Sequence, residues 1–156
     1  MSAVQWKLCK FSDLTINELY DVLKLRIDVF VVEQTCYYPD LDDHDRHPDT
    51  LHLFSYHGSE LVAYLRILPK SLTYDDFISI GRVAIADKFR GKGLAHEIMK
   101  EALAACQRCF PEQPIKISAQ AHLAKFYNQH SFVQVTDEYL EDGIPHIGMC
   151  YQPTSS

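Results

Sequence analysis

Residues 82–95 read RVAIADKFRGKGLA, and the fold turns on how that stretch is parsed. Val83 to Ala86 is a short apolar run of the kind a buried strand uses, and it stops at Asp87. Three cations follow within five residues (Lys88, Arg90 and Lys92), interleaved with Gly91 and Gly93. From about residue 92 to 109 the apolar spacing is that of an amphipathic helix. Strand, glycine turn and helix in that order aim backbone N–H groups at an anion. The first helical turn leaves donors unpaired and carries partial positive charge. Glycine takes backbone conformations costly to other residues and lets a ligand approach the main chain. The whole chain carries a net charge of −6, so the turn works against the global field. Charge-assisted hydrogen bonds of roughly 1.5–3 kcal/mol each outweigh that field, which is screened beyond a Debye length of about 8 Å.

Two phosphate-binding patterns fail on spacing. No G-x-x-x-x-G-K-S/T loop is present, and His96 stands where G-x-G-x-x-G needs its third glycine. Outward from the turn, residues 4–10 alternate as a first strand. Thr15-Ile-Asn-Glu18 has the form of a capping box. It opens a helix with Leu19, Leu23, Ile27 and Phe30 on one face, running out near residue 34. Residues 36–50 are a polar loop. Residues 51–57 and 60–68 flank Gly58-Ser59 as a hairpin, and 77–86 is a further strand. Residues 114–120 form the next strand and 123–130 a short helix. The chain closes on two strands around Glu141-Asp-Gly-Ile144. The order is β-α-β-β-β-α-β-α-β-β: one domain over residues 1–156, of the α/β class with a mixed sheet.

Composition narrows the function. Apolar residues make up 47% and charged residues 23% of the 156-residue chain, an ordinary globular balance. No apolar run reaches the roughly 18 residues of a membrane span, and the start lacks a secretory pattern, so a soluble, cytoplasmic protein is expected. Five cysteines give no disulfide framework. Cys106 and Cys109 fall at a helix end, where the dipole disfavours a thiolate. Nucleic-acid binding lacks the basic stripe it needs. The acidic loop 40–49 lacks the glycine and glutamate of a calcium-binding loop, and no metal is expected.

Arg90-Gly-Lys-Gly-Leu-Ala95 matches Q/R-x-x-G-x-G/A, the acetyl-CoA signature of the GNAT N-acetyltransferase superfamily. Phe126-Tyr-Asn-Gln-His-Ser-Phe132 is similar to the family's F-Y-x-x-x-G-F segment. Over nearly its full length the chain resembles the ElaA-like GNAT proteins, in LRIDVFVVEQ (25–34), AYLRIL (63–68), IGRVAI (80–85), AQAHL (119–123) and YLEDGIPHIGM (139–149). The resemblance implies the GNAT fold, with acetyl-CoA as co-substrate. It implies that the diphosphate sits on the amides of Gly91, Lys92, Gly93, Leu94 and Ala95, beside Arg90 and Lys92. The pantetheine arm, rich in amides, would then pair strand-like with Val83 and Ile85.

Acetyl transfer to an amine sets three demands. The amine must lose its proton, since its pKa is near 10.4. The carbonyl oxygen needs a donor as charge develops, for which a backbone N–H on residues 83–85 suffices. The leaving thiolate needs another, and the resemblance assigns it to Tyr127; full proton transfer from an unperturbed phenol would be uphill by about 2 kcal/mol. The base stays open among Glu33, His146, Glu141, His52, His122 and a water relay. Glu138, Glu141 and Asp142 either attract a cationic acceptor or form a solvated hairpin tip. Arg66 and Arg82, each inside an apolar strand, demand acidic partners, either within the protein or on the acceptor. Ser131 departs from the family's glycine; a left-handed conformation there costs roughly 1–2 kcal/mol. The expected activity is acetyl transfer to a primary amine of a small molecule or peptide. A non-catalytic CoA-binding regulatory module is the alternative. Neither nucleic acid nor membrane is an expected partner, and the resemblance leaves room for a homodimer.

Overall fold

The computed structural model describes residues 5–153. Two four-stranded sheets divide the chain. The first runs β1 (Gln5–Lys10), β2 (Leu51–His57), β3 (Glu60–Leu68) and β4 (Ser79–Ile85), antiparallel throughout. The second has β5 (Ile115–Gln120) beside β8 (Ile144–Tyr151), which pairs with both β6 (Val133–Gln134) and β7 (Tyr139–Glu141). The sheets meet where β4 and β5 begin: Ile78 bridges Ile115 in parallel, Ile78 N–H donates to Pro114 O, and Lys116 N–H donates to Ile78 O. Past that bridge β4 and β5 belong to separate sheets, and the gap between them is the site.

Helix α2 (Leu94–Cys109) buries Leu94, Ile98, Met99, Ala102, Ala105 and Cys106 against one face of the first sheet. Such side chains contribute roughly 1.5–3 kcal/mol each where fully buried. Helix α1 (Ile16–Arg26) covers the opposite face and starts at the expected capping box, Glu18 N–H donating to Thr15 Oγ1 and Thr15 N–H to Glu18. Its buried stripe is Val22, Leu25, Arg26 and Val29, whereas Leu19, Leu23, Ile27 and Phe30 are half-buried. The helix is rolled inward to bring Arg26, fully buried, under the sheet. It then widens into a π-helical segment, Ile27–Glu33, instead of breaking. Four β-branched residues there (Ile27, Val29, Val31, Val32) weaken the tight α-helical turn.

The penultimate strand is split into β6 and β7. Thr136 accepts the Gly148 N–H at 2.8 Å, and a Cβ on Gly148 would lie 2.7 Å from the Thr136 methyl. The side chain enters the ladder and interrupts it. Val4, the first residue of the expected opening strand, lies outside the described residues. Helix α3 (Ala124–Asn128) ends on Ser131 at φ 71°, with Phe132 N–H closing back to Tyr127 O at 3.1 Å. This is the left-handed cap that glycine fills in the family pattern, here carried by serine at the expected cost.

Strand β4 carries the irregularity that matters most. Tyr64 faces Ala84, yet Arg66 faces Gly81, so Arg82 and Val83 together oppose Leu65. Arg82 has φ 54°, a left-handed β-bulge position commonly held by glycine. Ala86 N–H donates inward to Val62 O, while Ile78 N–H donates outward to Pro114 O. Strict alternation cannot join those two ends. The bulge absorbs the extra residue and turns the peptide groups of both Arg82 and Val83 outward.

Candidate active site

A cavity of about 960 Å³ fills the gap between β4 and β5. At one end lies the glycine turn. Gly91 (φ 76°) and Gly93 (φ 84°) are both left-handed, and Gly93 caps α2, so the first amides of that helix open toward the cavity. Gly91, Gly93, Leu94 and Ala95 line it, as do Val83 and Ile85 along the outward edge of β4. Lys92 does not; its ammonium lies over the Phe89 ring, 5.2 Å from the centroid. Arg90 reaches back across the mouth. Its Nε donates to Ile85 O at 3.0 Å, and its two terminal nitrogens grip Glu33 at 2.5 and 3.0 Å. Hydrogen bonding to Glu33 raises the guanidinium pKa further.

Tyr127 enters from α3, packed edge-on against Phe126 and Phe132. The residue is nine-tenths buried yet lines the cavity. Burial pushes its phenol up to about 12, so the hydroxyl is a permanent donor. Beside it His96 Nδ1 lies 2.8 Å from His130 Nε2. Burial, with His96 and Lys100 nearby, pushes His130 down. This pair had no counterpart in the sequence reading.

Elsewhere on the cavity wall the β7–β8 hairpin supplies Glu141 and His146. His146 Nδ1–H donates to Ile144 O at 2.7 Å, which leaves Nε2 facing Glu141 at 3.5 Å. Ser118 donates to Glu141 at 3.2 Å and shares a 2.5 Å hydrogen bond with Tyr139. Of the other candidate bases, His122 lines the cavity. His52 does not; it is buried with both ring nitrogens engaged, one with the Tyr64 hydroxyl (2.7 Å) and one with Asp45 O (3.0 Å). Burial pushes its pKa down, so it is a neutral structural group.

The polar loop turns Asp40, Asp42 and Asp45 inward, with Asp40 and Asp45 buried. Arg26 binds Asp40 at 2.9 Å and Asp45 at 2.8 Å. Arg66 binds Asp42 at 2.6 Å and Asp45 at 3.0 Å, leaving its Nε buried without a partner. Arg82 donates to Asp40 O at 3.0 Å. Its Nε stands 2.9 Å from Asp40 Oδ1 but off the hydrogen-bonding angle, so that contact is ionic only. Burial works to raise Asp42, but the Arg66 hydrogen bonds and the charges of Arg66 and Arg82 hold it at about 2. The partners the two strand arginines demanded are these three aspartates. Among the described residues no group of three or more His, Cys, Asp or Glu is arranged to hold a metal ion. Cys106 is buried, its thiol pushed up to about 12 by burial, and Cys109 is exposed.

A strand edge opening onto a glycine-capped helix, facing a buried tyrosine, is an acyl-CoA site in form. The chain belongs to the GNAT acetyltransferases: the family's acetyltransferase (GNAT) domain matches residues 26–152. It is 42% identical to the protein ElaA of Escherichia coli over 148 residues, 94% of this chain and 95% of that one. The crystal structure of E. coli ElaA superposes with a TM-score of 0.90, covering 96% of this chain and all of that one. An acyl-CoA N-acyltransferase from Pseudomonas aeruginosa, 44% identical, superposes at 0.91 over 96% of this chain and 99% of that one. The fold is the mixed α/β fold of these proteins, and the chain is an acyltransferase of the GNAT type.

Proposed function

We propose that the protein transfers an acetyl group from acetyl-CoA to a primary amine of a small molecule or peptide, by direct attack within a ternary complex. One observation carries this reading: the outward edge of β4 at Val83 and Ile85 runs straight into the left-handed Gly91 and Gly93, across the cavity from Tyr127. The diphosphate takes the amides from Gly91 to Ala95, and Arg90 turns from Glu33 to meet it. Pantetheine amides pair with Val83 and Ile85, and displace Arg90 from Ile85 O as they do so.

The acceptor ammonium loses its proton to His146, whose Nε2 is left bare by the Nδ1–H bond to Ile144 O. Glu141, 3.5 Å away, stabilises the imidazolium. Glu33 is the weaker candidate, since Arg90 occupies both of its oxygens. The amine lone pair then attacks the thioester carbonyl carbon, and the outward Val83 N–H meets the developing oxyanion. As the C–S bond breaks, Tyr127 donates a hydrogen bond to the leaving sulfur. A phenol near 12 lies about 5 kcal/mol uphill as a full acid toward a thiol of 8.5. Tyr127 therefore acts as a donor, and the thiolate takes its proton after release. Five free cysteines suit a reducing cytoplasm.

Acetyl-CoA consumption across a panel of amines, with CoA release measured, tests the activity. Tyr127→Phe is expected to lower kcat about 100-fold while CoA affinity by calorimetry stays within about twofold. An unchanged kcat removes Tyr127 from the reaction. Tight CoA binding with no turnover on any amine leaves the regulatory-module reading in its place.

A further inference from the structure

Arg82 is a bulky residue in a conformation suited to glycine, at the point where β4 gains its extra residue. Left alone, a strand with Arg at that position would favour extended backbone and slip back into register. Its side chain explains why it does not. The guanidinium is anchored to Asp40 through the backbone carbonyl at 3.0 Å and the carboxylate at 2.9 Å. It also reaches Asp42 at 3.5 Å and covers the Tyr38 ring at 5.3 Å. Asp40 cannot yield, because Arg26, fully buried, holds both its carboxylate and its carbonyl, and Tyr38 donates to its other oxygen at 2.8 Å. The bulge is thus clamped by a side chain that runs along the cavity wall beside Tyr38 and Asp42. Its other consequence is the outward Val83 N–H.

We propose that Arg82 is a positioning residue that holds the β4 bulge through Asp40, and so aims the Val83 N–H at the thioester carbonyl oxygen. The inference rests on the acetyl-CoA reading above, and adds a residue of the cavity wall that acts through the β4 backbone. A purely structural arginine would lower stability when removed and leave the carbonyl environment alone. A positioning arginine alters how strongly the bound carbonyl is polarised.

The test is isotope-edited infrared spectroscopy of acetyl-CoA labelled with carbon-13 at the carbonyl, bound to the full chain, with steady-state kinetics in parallel. Wild type is expected to shift the carbonyl stretch below its value in water. Arg82→Gly tolerates a positive φ but loses the anchor. It is expected to return the band toward the aqueous position and to lower kcat roughly 10- to 100-fold, with CoA affinity by calorimetry held within about threefold. Arg82→Lys keeps the charge without the fork and is expected to fall between; it also serves if the glycine variant does not fold. A band and a kcat unchanged in both variants would overturn the inference. So would a loss of CoA affinity that matches the loss of kcat. Absence of any CoA binding by wild type would instead refute the acetyl-CoA reading, and would be seen before either variant is made.

Discussion

The cavity meets arginine–carboxylate pairs at both ends, and the two sets differ in little but burial. At the end away from the glycine turn Arg26, Arg66 and Arg82 interlock with Asp40, Asp42 and Asp45. The Arg26 and Asp40 side chains are each only 1% exposed. At the glycine turn Arg90 and Glu33 are paired just as closely, but at 37% and 41% exposure. Buried, such a pair is costly to break, because a partner left alone is a charge without solvent. Exposed, it contributes about 0–1 kcal/mol and is screened by salt. The first set can therefore hold a wall and a bulge in place, and the second can let go for the diphosphate it is proposed to meet.

The comparison breaks most easily by the same substitution at both ends. Arg26→Met should take one cation from each of the buried Asp40 and Asp45, and cost about 3–5 kcal/mol. That is a large part of the roughly 5–15 kcal/mol a domain has. Arg90→Met should cost less than about 1 kcal/mol. Urea unfolding of the two variants reads both values. Equal losses would mean that burial does not separate the two sets.

Acid sharpens the difference further. His52 sits neutral against Tyr64 and Asp45, its pKa pushed down by burial. The unfolded chain accepts the proton that buried His52 refuses. Stability from this group is thus complete above about 6.5 and is lost as pH falls below that value. Asp42 is opposed by burial but held at about 2 by Arg66 and Arg82, against an ordinary 3.8. Asp45 is also held low, against its own burial, by Arg26 and Arg66. Their contribution is present above about pH 4 and disappears as pH falls through the depressed values. Urea midpoints should be flat above pH 7, decline gently below it and fall steeply under pH 4. A flat profile down to pH 3 would show that the buried network does not titrate with folding.

The sequence made the two ends unequally legible. Gly91, Gly93, the Thr15–Glu18 cap and the left-handed slot at Ser131 are local features, and each is where its own few residues place it. The element order followed from periodicity in the same way. The buried network is built from residues 26, 40–45, 66 and 82, far apart in the chain, and periodicity says nothing about which of them meet. Arg66 and Arg82 demanded acids, and 40–49 offered them, but no local rule joined demand to offer. Arg26 was hidden more deeply. An arginine at the end of an amphipathic helix reads as a solvent-facing end, and the face assigned to Leu19, Leu23, Ile27 and Phe30 was wrong by about one residue's turn for that reason. The bulge left no trace in the sequence, since a left-handed residue in a strand announces itself only when it is glycine.

The smallest expected effect tests the exposed pair as a gate. In the chain without ligand, the Glu33 carboxylate holds the guanidinium that the diphosphate is proposed to take. Glu33→Gln keeps the shape and removes the competing charge. CoA should bind tighter, by up to about fivefold, the equivalent of an exposed pair worth about 1 kcal/mol. The gain should shrink as salt rises, because a Debye length of about 10 Å at 0.1 M falls to about 3 Å at 1 M. Calorimetry at both salt concentrations separates this outcome from its opposite. If Glu33→Gln weakens CoA binding instead, Glu33 steers Arg90 toward the phosphate rather than competing for it. The exposed pair would then be a fixed part of the cofactor site, and the contrast with the buried network would be one of depth alone.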